Sequence, residues 1–127
     1  MAAFQNDLYT LMTSDSSLNT AMQGRIYFEN IEENYDLNND YIVYSFRKTS
    51  QQDCLNSRNL FTNYSIYVRI LSKSTITINS LSDYIQNFLN GQSYGNIQDV
   101  WFLNDNHTMD LQMGQYSILL EFGAIYF

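Results

Sequence analysis

Apolar residues recur along this chain at two different periods. Phe4, Leu8, Leu11 and Met12 stand at i, i+4, i+7 and i+8, which predicts an amphipathic helix over residues 2–14. Asp15-Ser16-Ser17-Leu18 then reads as a stop followed by a fresh N-cap, opening a short helical turn over residues 16–22 that ends at Gly24. Residues 25–28 read as a strand, residues 29–40 as a polar, acidic loop, and residues 41–47 as a second strand rich in β-formers. Residues 48–59 are polar and show no usable period. From 63 to 71 the period is two: Tyr64, Ile66, Val68 and Ile70 fall on one face, and Ser65, Tyr67 and Arg69 on the other.

The helical period then returns. Ile78, Leu81, Ile85, Phe88 and Leu89 share a face, Ser74, Thr75 or Thr77 can cap the start, and Gly91 suits the position after the end. Residues 97–103 read as a strand, 104–110 as a turn, and 111–127 as a closing strand. In that last strand Tyr116, Ile118, Leu120 and Phe122 share a face, Leu119 breaks the alternation, and Gly114 and Gly123 suit bends or bulges. The middle strands are joined by loops, which predicts antiparallel neighbours. The expected fold is α+β: a single domain over 1–127, with an antiparallel or mixed sheet of about four to five strands and two main helices on one face. The other face keeps Tyr and Arg residues for a partner or for water.

Composition fits one packed domain. At 127 residues the chain buries roughly two-thirds of its unfolded surface. With 45% hydrophobic and 16% aromatic residues it is too apolar for disorder. No apolar run approaches a membrane span, and residues 1–8 lack the pattern of a secretory signal. The expectation is a soluble protein made and kept in the cytoplasm, with no membrane partner. The single cysteine, Cys54, suits a reducing compartment.

The formal net charge is −7, and six residues are basic: Arg25, Arg47, Lys48, Arg58, Arg69 and Lys73. Such a chain lacks the broad basic face needed to grip phosphates, so DNA is expected near it at most, not held by it.

Candidate chemistry is sparse. His107 and Cys54 are far apart and belong to no metal-ligand spacing, so no metal is expected. His107 could act as a base oriented by Asp105 or Asp110, but Asn and Asp around it suit a polar turn. Cys54 would need a nearby base or positive field to become a nucleophile. The acidic run Glu29, Glu32, Glu33, Asp36 and Asp40 lacks the register and glycine of a calcium loop. Residues 91–95 follow a helix and carry no phosphate-cradle motif. Trp101 and Phe102 must face opposite sides of their strand, one inward and one available as an interface anchor. No catalytic constellation or cofactor site emerges, so the chain is expected not to be an enzyme.

Several landmarks appear in a fixed order: Leu8-Tyr9-Thr10-Leu11 before Ser14-Asp15-Ser16-Ser17-Leu18, then Gly24-Arg25-Ile26-Tyr27, then Asp40-Tyr41-Ile42-Val43-Tyr44 after an acidic loop. The alternating strand over 63–71 running into a helix, and the aromatic-ended strand over 116–127, complete the set. Together these resemble the tail-terminator, or tail-completion, proteins of tailed bacteriophages. The chain departs from that pattern at Asp40, where many relatives carry proline. The resemblance implies a structural virion protein, assembled in the host cytoplasm, that forms a hexameric ring at the head-proximal end of the tail. Its implied partners are copies of itself, the tail tube protein and the head-completion or connector protein, with DNA passing through the lumen. Charge placement makes Glu29, Glu32, Glu33 and Asp36 the candidate lumen or tube contact. Arg47, Lys48 and Arg58 are the candidate contact with an acidic surface of the neighbouring subunit. Another neck or baseplate component, or a module binding a small ligand or peptide on the Tyr-rich face, are the competing readings.

Overall fold

The structure, a computed structural model, describes residues 2–29, 39–53, 60–110 and 114–126. Its elements run α1 (Ala2–Met12), α2 (Ser16–Met22), β1 (Ile26–Phe28), β2 (Tyr41–Asp53), β3 (Leu60–Ser72), α3 (Thr75–Leu89), β4 (Ile97–Asp110) and β5 (Gln115–Tyr126). The strands form one sheet in the order β1-β2-β3-β5-β4. The predicted α+β class holds, with a five-stranded mixed sheet.

Local chemistry sets the helix ends. Asp15 caps α2 by accepting a hydrogen bond from the Leu18 N–H at 2.9 Å. Ser74 caps α3 by accepting from the Thr77 N–H at 3.2 Å. Gly91, at φ +84°, takes the left-handed conformation that stops α3, as its position predicts. Its N–H donates to the Val100 carbonyl at 2.7 Å, which ties the helix end to β4.

The core lies between the helices and one face of the sheet. From the helices come Phe4, Leu8 and Met12, Leu18 and Met22, and Ile78, Ile85 and Leu89. From the sheet come Ile42 and Tyr44, Ile66, Val68 and Ile70, Ile118, Leu120 and Phe122, and Val100. Each such side chain contributes roughly 1.5–3 kcal/mol by leaving water. The ring of Phe4 stacks on Tyr64 at 3.7 Å between centroids and meets Phe46 and Tyr126 edge-on. That aromatic cluster fixes α1 over the lower half of the sheet.

Three expectations need correction. β1 pairs with β2 in parallel, Ile26 opposite Ile42, rather than antiparallel. A parallel neighbour requires the chain to return the length of the strand, a connection of about a dozen residues or more, and β1 and β2 are separated in sequence by residues 29–40. β2 continues past Arg47 to Asp53, so residues 48–53 belong to a hairpin with β3. Residues 104–110 are not a turn: they continue β4, paired with β5 from Asn104 opposite Glu121 to Asp110 opposite Gln115. Gly114, just ahead of β5, has φ +66°. The short helix expected over residues 16–22 is present as α2, with Leu18 and Met22 buried in the core beside the two longer helices.

Candidate assembly surfaces

The sheet face turned away from the helices carries no second layer among the described residues. Its cross-strand rows are read from the register. Val43 lies beside Arg69, Leu119 and Asn106; Ser45 lies beside Tyr67, Glu121 and Asn104; Arg47 lies beside Ser65, Gly123 and Trp101. The face is mixed: Val43, Tyr67, Leu119 and Trp101 are half-buried, and the charged Arg69 and Glu121 stand among them on the two central strands. Arg69 is exposed and donates from Nη1 to the Ser117 hydroxyl at 3.1 Å. A shallow cleft of about 220 Å³ opens here between Glu29, Val43, Ser45, Tyr67, Arg69 and Leu119.

Trp101 and Phe102 divide as the sequence predicts. Phe102 turns to the core and meets Phe122 edge-on at 5.6 Å. Trp101 lies on the open face against Gly123, where an added Cβ would stand 2.5 Å from the indole. The helical side has its own apolar groove of about 340 Å³, between α2 and α3, lined by Leu18, Ala21, Leu81 and Tyr84. Ile76 on its rim is 80% exposed.

The charged candidates separate. Glu29 sits at the end of β1 with φ +66°, exposed, its N–H donating to the Tyr44 carbonyl at 2.8 Å. Glu32, Glu33 and Asp36 lie outside the described residues, as do Arg58 and Cys54. Arg47 and Lys48 are exposed neighbours in β2, so they point to opposite faces of the sheet and are not in a loop. The structure therefore brings Glu29 and Arg47 to the same margin of the sheet, although acidic and basic groups were assigned to separate contacts. The pairing that does this, β1 on β2, has no sequence signal beyond the β-forming Ile26, Tyr27 and Phe28.

His107 is an exposed residue of β4 whose Nε2 stands 3.0 Å from an Asp105 carboxylate oxygen. Asp105 and His107 are two apart on a strand and so share a face. His107 borders a hollow of about 360 Å³ that Thr75, Asn79, Tyr116 and Ser117 also line. The imidazole's hydrogen-bond partner among the described residues is that carboxylate, not a hydroxyl. No group of three or more His, Cys, Asp or Glu side chains among the described residues is placed to hold a metal. No helix is long and apolar enough to cross a membrane among the described residues.

The chain matches no family model and no curated protein sequence. Its fold is shared with a solved chain of the virion of a native gene transfer agent particle, at a TM-score of 0.73 and 15% identity, over 96% of this chain and 92% of that one.

Proposed function

We propose that this chain is a virion structural protein that forms a ring at the head-proximal end of a phage tail tube, ends tube growth and docks to the head connector. The observation that carries this reading is the shared fold over nearly the full length of a virion chain. The ordered landmarks, from Gly24-Arg25-Ile26-Tyr27 to the aromatic end of β5, support the more specific role. In this reading the protein works by docking and catalyses nothing. Among the described residues its sheet leaves an open face where Arg69 and Glu121 stand among half-buried apolar side chains, and its helical layer carries a separate apolar groove, so one subunit offers two unlike surfaces on opposite sides. A ring cap needs that asymmetry, because one side must match the tube while the other must refuse a further tube subunit. A net charge of −7 suits a lumen through which DNA passes without sticking. The test is the solution mass of the purified protein by light scattering, alone and with tail tubes. A mass of about six chains, reached alone or on tubes, supports the ring. A monomer under both conditions overturns it.

A further inference from the structure

Among the described residues, the two outer sides of the sheet are only partly covered. On β4, the end of α3 protects the first half: Gly91 donates to the Val100 carbonyl, and the Phe102 N–H donates to Asn90 Oδ1 at 3.1 Å. From Leu103 onward, β4 pairs among the described residues with β5 alone. A bulge between Phe102 and Asn104 shifts the ladder by one residue. Because the Phe102 N–H points outward, alternation after the bulge turns the N–H and C=O of Asp105 and His107 outward.

On the opposite side, β1 covers β2 as far as Tyr44. There the Ile42 N–H donates to Arg25 and the Tyr44 carbonyl accepts from Glu29. The same alternation turns the backbone of Phe46 outward, and among the described residues no strand pairs with it on that side.

We propose that the outer side of β4 in one copy pairs, antiparallel, with the outer side of β2 around Phe46 in the next copy. The proposal rests on the ring reading for its closure. Three observations select a second copy as the occupant. First, β2 and β4 run in opposite directions within the sheet, because each successive pair β2·β3, β3·β5 and β5·β4 is antiparallel. A copy related by rotation about an axis along the strands therefore presents β2 antiparallel to β4. Second, the charges match: β4 carries exposed Asp105, with Glu121 beside Asn104, and β2 carries exposed Arg47 and Lys48. Third, β4 is a poor partner for another β4, since Asp105 would approach its own copy and like charges across strands destabilise pairing. Acidic side chains and a bulge commonly protect an edge; here they repel a second β4 and still suit a basic β2. Because the joined edges are unlike, the contact is head-to-tail and propagates until rotation closes it.

The test uses two charge-reversed forms of the full chain, one carrying Arg47→Glu with Lys48→Glu and the other Asp105→Lys, each checked for folding by circular dichroism. Light scattering over a concentration series is read for each form alone and for their equimolar mixture. Each form alone should need at least about tenfold more protein for half-assembly than the unaltered chain, as repulsion at every interface demands. The mixture should recover, since alternating copies restore opposite charges at each contact. Folded variants that assemble like the unaltered chain, or a mixture without recovery, overturn the edge pairing. So does an unaltered chain that stays monomeric. The ring reading fails separately: recovery in the mixture with no binding to tail tubes upholds the edge pairing and rejects the tail role.

Discussion

The indole of Trp101 lies across the backbone of Gly123, its cross-strand partner on β5. A Cβ built on Gly123 would stand 2.5–2.6 Å from three indole atoms, so the side chain fits only because Gly123 has none. The contact explains a glycine in the middle of a strand, where glycine otherwise weakens pairing.

Gly123→Ala should therefore displace the indole and destabilise the fold by about 1–3 kcal/mol, the usual range for overfilling a packed site. Urea unfolding measures the loss. Because the chain has one tryptophan, its emission reports this site alone, and the folded variant should emit at longer wavelength. Unchanged emission and stability would show that the indole does not rest on Gly123.

Phe4 is fully buried and touches Phe46, Tyr64 and Tyr126. Phe4→Ala should cost about 3–5 kcal/mol, as large-to-small changes of buried aromatics do. Limited proteolysis should then cut within α1 before the sheet. Equal protection of α1 in both proteins would remove the aromatic cluster as its anchor.

Asp15 joins two helices: it caps α2 through the Leu18 N–H and accepts from the Tyr84 hydroxyl of α3. Asp15→Ala should cost about 0.5–2 kcal/mol, the range for a lost N-cap. Tyr84→Phe keeps the cap and loses only the exposed hydroxyl contact, so its effect should be smaller in the same thermal unfolding series. The reverse order would mean that the helix–helix contact, not the cap, holds α2.

Alkaline pH should unfold the protein. Burial is the main cause that pushes the Tyr44 hydroxyl up to about 12 from 10.0, with Tyr9 adding to it. Burial also raises Tyr64 and Tyr126. A folded pKa above the unfolded one means that the native state holds its proton longer. This stabilisation is intact below pH 10 and declines as pH rises from 10 toward 12. Within that window the last tyrosinate absorbance to appear, that of the buried tyrosines, should come together with the loss of the circular dichroism signal. Titration of every tyrosine near its ordinary value, with the fold intact, would contradict the burial described.

Much of this fold is legible in the sequence because its signals are local. The alternation of Tyr64, Ile66, Val68 and Ile70 marks β3, a strand flanked on both sides by long strands, and the spacing of Ile78, Ile85 and Leu89 marks the buried stripe of α3. Leu119, which disturbs the pattern of β5, does so because it faces the open side between Arg69 and Asn106. What stayed hidden depends on distant partners. Residues 104–108 look like a turn because an exposed edge strand need not be apolar; their strand form comes from pairing with β5. The parallel seat of β1 depends on a return path that three strand residues cannot encode. Of the charged candidates, Glu29 and Arg47 were legible as surface groups, but their shared margin arises only once β1 lies on β2.

The central claim is that this protein docks to copies of itself at the end of a tube. Electron microscopy of the purified protein mixed with tail tubes tests it most directly. The account predicts one ring of about six copies at a single end of each tube, and tubes that stop growing once it is seated. Bare tube ends, or protein scattered along the tube walls, would contradict it.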